Sequence, residues 1–222
     1  MKLNAILLLI LSILLSCGAG CTDSGKYAVS GKASTLGLGG EFTGQVIPNI
    51  NARVGYNRLD LDFDDREMDD IEYDLGLDFR SFSALVDWHA FEDDFRISAG
   101  FLSMNHEIEL DARPTNSEEI GDTTYEPDEI GTLSGSVDVD GIAPYIGIGW
   151  GNPLTNNRRW GFTCDFGVAF TNSPDVSLST NGTLASDPAF QANLEKERNE
   201  IEDDLESYKF YPVIALSFFY RF

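Results

Sequence analysis

The sequence predicts an all-β protein: an eight-stranded antiparallel up-and-down transmembrane β-barrel with a short helix in the last long loop. Three observations carry this. Eight segments alternate in polarity with period two. After one tight corner, the connections between them alternate between short turns and long loops, as in barrels that cross a membrane. Beyond the leader, no segment approaches the roughly 20 apolar residues of a membrane helix, so a spanning form has to be a closed barrel.

The leader comes first. Lys2 supplies a positive start, residues 5–15 are apolar apart from one serine, and small residues (Ser16, Gly18, Ala19, Gly20) follow. Residues 1–20 are therefore expected to be an export signal and residues 21–222 the barrel. Cys17 follows Leu14-Leu15-Ser16 and Cys21 follows Gly18-Ala19-Gly20, so a lipoprotein signal ending at either cysteine stays open beside ordinary cleavage. Cys164 lies on an apolar strand face and reads as a small hydrophobe.

The first strand, residues 26–33, puts Tyr27, Val29 and Gly31 on one face. After the Ser34-Thr35 corner, residues 36–47 set Leu36, Leu38, Phe42 and Val46 against Glu41, Thr43 and Gln45. Pro48-Asn49 makes a turn into residues 50–63, where Ile50, Ala52, Val54 and Tyr56 oppose Arg53, Gly55 and Asn57. In residues 73–90 the phase slips: Leu75, Leu77 and Phe79 share one face, then Phe82, Ala84, Val86 and Trp88 take over the other. Such a slip near Ser81 predicts a β-bulge, and residues 95–112 switch in the same way near Phe101. Residues 137–150, 160–171 and 209–222 complete the set. The last of them places Ile214, Leu216, Phe218, Tyr220 and Phe222 on one face.

The long connections are residues 64–72, 113–136 and 172–208, which puts both termini on the periplasmic side. The last connection holds the helix. Ser186-Asp187 is placed to cap it and Pro188 to open it, with Phe190, Leu194, Ile201, Leu205 and Tyr208 at helical spacing.

An eight-stranded meander also describes a lipocalin, with the opposite polarity: apolar inside, polar outside. Three features favour the membrane. The polar face is rich in Gly, Ala, Ser and Thr, which suits a narrow lumen. Aromatic residues cluster at strand ends, where bilayer interfaces fall. The same polar face carries sparse charges of both signs: Lys32, Glu41, Arg53, Asp78, Arg80, Arg96, Asp165 and Arg221. Enclosed together, these form a lumen polar network that closes the barrel as a plug, or they line a narrow water column.

Residues 131–138 (GTLSGSVD), 143–153 (APYIGIGWGNP), 80–82 (RSF) and 210–213 (FYPV) resemble the small porin-like outer-membrane proteins of the OmpA/OmpX type. The terminal Tyr220-x-Phe222 resembles the insertion signal that such barrels carry, although Ser217 stands where they have glycine. The resemblance implies a Gram-negative outer-membrane location and contact with lipid, lipopolysaccharide and the barrel insertion machinery. It leaves open an anchor, an adhesin or a small-solute pore. The chain is expected to be a monomer.

A net charge of −22 argues against nucleic acid as a partner. The acidic run from Asp60 to Asp74 invites a calcium reading through Asp60, Asp62 and Asp64. It lacks the glycine and the bidentate Glu of an EF-hand, so no defined metal site or cofactor is expected, only diffuse divalent binding beside lipopolysaccharide phosphates. His89, beside Asp87 and pointing inward, and His106 are the only histidines and do not assemble a hydrolase triad. The expected role is a membrane-embedded structural scaffold that presents surface loops. A narrow channel for small hydrophilic solutes is the alternative, followed by a lipocalin-like lipid carrier. No enzyme is expected.

Overall fold

A computed structural model describes residues 25–68, 71–91, 94–154, 159–205 and 209–222. The export signal, Cys17 and Cys21 lie outside the described residues. Eight strands form the wall: β1 (Tyr27–Ser34), β2 (Gly37–Ile47), β3 (Ile50–Met68), β4 (Ile71–Trp88), β5 (Phe95–Pro114), β8 (Leu133–Trp150), β9 (Trp160–Phe170) and β11 (Phe210–Arg221). Each pairs antiparallel with its neighbours in chain order. β1 pairs with β11 and β8 with β9, so the sheet closes on itself. Within the membrane span closure leaves no strand edge unpaired, which is what a strand structure in lipid requires. The chain is an eight-stranded transmembrane β-barrel.

The outward face confirms its polarity. Val54, Phe82, Val86, Phe101, Ile146, Phe162, Ile214 and Phe218 are all exposed, with Trp88, Trp150, Trp160 and Tyr220 gathered at the end that carries both termini. A lipocalin would bury these residues in its cavity, so that alternative fails on geometry.

The phase slips in β4 and β5 are not bulges. Their pairing runs without a shift from Ile71↔Pro114 to Trp88↔Ile97. What changes is the surrounding medium. The outward row Tyr56–Phe82–Ser103–Ile142 is the last to meet lipid; the next reads Arg58–Arg80–Asn105–Asp140, and the one above Asp60–Asp78–Glu107–Asp138. About ten residues per strand suffice to cross a bilayer, whereas β3 has 19. These strands therefore project beyond the membrane, where the outer face meets water and Leu75, Leu77 and Phe79 point inward. For the same reason residues 64–72 are not a loop: β3 runs to Met68 and β4 starts at Ile71.

The other long connections fold into a cap. The strands β6 (Glu118–Ile120) and β7 (Thr123–Tyr125) form a hairpin, followed by a single helical turn, α1 (Pro127–Ile130). The short strand β10 (Asp175–Thr180), which follows β9 in the chain, pairs with β8 above the barrel, and α2 (Pro188–Leu205) packs on it. Asp187 caps α2, its Oδ1 accepting from the amides of Ala189 (2.9 Å) and Phe190 (3.1 Å). Ile120, Tyr125, Ile130, Phe190 and Leu194 form the cap core, against Leu133 and Leu178 of the projecting wall. Register puts Leu133 on the face that lines the lumen lower down, so the cap sits on the inner side of the wall.

Candidate functional site: a two-layered lumen

Alternation along six strands delivers polar side chains to one level of the lumen. Lys32 comes from β1, Glu41 from β2, Arg53 from β3, Asp87 from β4, Arg96 and Ser98 from β5, and Asp165 from β9, all buried. Arg53 is the hub. Its Nε lies 2.6 Å from Asp87 Oδ2, its Nη1 donates to Glu41 Oε1 (3.2 Å), and its Nη2 donates to Asp165 Oδ1 (3.1 Å) and Ser98 Oγ (3.2 Å). Because β3 and β9 stand opposite in the ring, the Arg53–Asp165 pair spans the lumen. Arg96 Nη2 donates to the same Asp165 Oδ1 (2.8 Å), Ser98 Oγ donates to Asp87 Oδ1 (2.6 Å), and Lys32 Nζ is 3.4 Å from Glu41 Oε2. Three cations thus meet three carboxylates. Room for the long side chains comes from glycine: a Cβ on Gly149 would stand 2.9 Å from both Arg96 Nε and Asp165 Oδ1.

Toward the outer end a second layer follows. Leu36 folds in from the β1–β2 turn, which Gly37 makes possible at φ 102°, and meets Leu85, Leu102, Met104, Ala143, Tyr145, Ala169 and Val213. Above it, Phe79 stacks on His106 (centroids 4.5 Å apart) and Tyr211 approaches the same ring edge-on (5.5 Å). Toward the opposite end, Asn51 Nδ2 lies 3.1 Å from His89 Nε2 and donates to Asn152 Oδ1 (3.5 Å).

Five of the eight charges read as lumenal stand together here: Lys32, Glu41, Arg53, Arg96 and Asp165. Asp78 and Arg80 do not belong. With β4 continuous they share the face of Phe82, above the bilayer, and pair with each other. Arg221 stays at the terminal rim, where Nη1 donates to the Leu154 carbonyl (3.3 Å). Sequence reasoning saw Asp87 point inward but left it out of the network, and it missed Ser98. Both follow from the same alternation, since Asp87 lies between outward Val86 and Trp88.

Among the weak metal candidates, Asp60 is 2.6 Å from Arg58 and Asp62 faces outward on the same strand; the side chain of Asp64 lies outside the described residues. Tyr220 and Phe222, read as an insertion signal, are exposed on the outward face.

No family model matches the chain, and no curated protein matches it. Its fold is similar to crystal structures of two Acinetobacter baumannii proteins. CarO is 21% identical with a TM-score of 0.61, covering 88% of this chain and 97% of its own. CarO2 is 21% identical with a TM-score of 0.64, covering 88% and 98%. At this identity the likeness is one of fold.

Proposed function

We propose that the protein is an integral outer-membrane barrel whose role is structural and surface-interactive: a closed, monomeric scaffold that holds a projecting wall and a folded cap outside the cell. The observation that carries this reading is the two-layered lumen. A neutral ion-pair network spans its width, and a packed apolar layer lies over it. A permeating ion would have to break both. Apart from the β1–β2 corner at the outer end, the short turns and both termini then face the periplasm, and lipid and lipopolysaccharide meet the outward girdle. The fold of CarO and CarO2 is compatible with the same setting. We ascribe no enzymatic activity to the chain.

Planar bilayer recording on the refolded mature chain tests this. The expected record is flat, without unitary steps. Stable steps that persist in an Arg53→Lys variant with altered size would replace the scaffold by a narrow channel for small hydrophilic solutes.

A further inference from the structure

Above the lumen, strand register makes the inward face of the projecting wall apolar. Phe79 and His106 stand side by side at its foot; Leu61, Leu77 and Ile108 form the next row, then Leu75 and Leu110. The cap packs on the β8–β10 end of this face, where Val176 is buried. It leaves the β3–β5 end open: neither buried cluster includes these leucines, and Leu61 and Leu110 are 41% and 40% exposed. His106 is the polar exception. It is 2% exposed, and neither Nδ1 nor Nε2 has a hydrogen-bond partner among the described residues. A buried polar group left unpaired costs free energy, and a ligand that supplies a partner recovers it.

We propose that this face is a binding site for a neutral, largely apolar small molecule that carries one hydroxyl group. The apolar body lies against Leu77 and Ile108, the row next to His106, and the hydroxyl bonds to His106. Size follows from strand geometry. Rows lie about 7 Å apart and strands about 4.8 Å apart, so the face matches a single ring system or a short chain. Charge follows from the outer side of the same strands. Asp60, Asp78, Glu107, Asp138 and Asp175 stand in one register row there and repel an anion. Among the described residues, the inward face of β3–β5 above the lumen offers a cation no carboxylate. Tyr211, whose hydroxyl donates to the Thr35 carbonyl (2.8 Å), packs edge-on against the His106 ring, so the proposed hydroxyl contact requires this ring to give way. The site goes beyond the scaffold reading and stands whether or not the barrel conducts.

The test is a titration of the mature chain in phospholipid nanodiscs with cyclohexanol, with methylcyclohexane as the hydrocarbon control. Imidazole nitrogen and leucine methyl resonances are the readout. Cyclohexanol is expected to shift His106 saturably and the Leu77 methyls with it, leaving His89 unmoved. His106→Phe keeps the stacking on Phe79 and should weaken binding about tenfold, the worth of one hydrogen bond. Leu77→Ala, in the row next to His106, should weaken it as well. Equal affinity for methylcyclohexane, equal affinity in His106→Phe, or a parallel shift of His89 would each overturn the proposal. So would lipid acyl chains that contact the Leu77 methyls and are not displaced by cyclohexanol.

Discussion

Arg53 shows how one side chain organises the barrel interior. It is bonded to three carboxylates from three strands, one of them on the opposite wall. Removing its charge leaves Glu41, Asp87 and Asp165 facing Lys32 and Arg96 alone. Breaking a buried pair from one side typically costs about 3–5 kcal/mol. Arg53→Met should therefore lower the unfolding free energy from urea titration of the refolded protein by that much, while Arg53→Met with Asp165→Asn restores charge balance and recovers more than half. If the double variant is no better than the single one, the network does not act as a unit. The inward direction of these residues was legible, because period two assigns every residue to a face. The partners were not. Arg53 and Asp165 are 112 positions apart, and alternation says nothing about which strand stands opposite.

At the scale of the element, β4 and β5 teach the most. Their apolar face changes sides while their pairing stays in register, so a reading confined to periodicity inserts a bulge that the strands do not contain. The misplacement of Asp78 and Arg80 follows directly from it. Beyond the bilayer the outward row is acidic across β3, β4, β5, β8 and β10, and like charges directly opposite repel. Arg58 and Arg80 each neutralise one acid on their own strand. Glu107 has no cation within ion-pair distance among the described residues, and its carboxyl is held above the usual range, chiefly by Asp138 across the ladder, then by slight burial and by Glu109, Asp78 and Asp140. A carboxylate raised on folding contributes stability that is full below its ordinary value and is lost as pH rises through the raised one. Amide exchange in residues 105–111, corrected for intrinsic rate, should therefore slow as pH falls from neutral into the mildly acidic range. Glu107→Gln should flatten that dependence, and an unchanged slope would show that the repulsion does not govern the wall.

For the whole molecule, the decisive contact is the one between β1 and β11, which joins the two ends of the chain through seven register pairs from Ala28↔Arg221 to Ser34↔Ala215. Because closure leaves no strand edge open in the membrane span, the refolded mature chain should resist SDS and migrate differently on gels before and after boiling. A single band at one position in both lanes would mean that the sheet is not closed in detergent. The number of wall strands, the direction of side chains within the membrane span, the short turns and the capped helix were determined by the sequence, because each is set by neighbours within a few residues. Three things were decided only by tertiary structure. Where the bilayer ends depends on strands held in register, the ion-pair network depends on walls brought face to face across the lumen, and the apolar inner face above it depends on where the cap comes to rest. Each joins residues far apart in the chain, and local periodicity carries no record of that distance.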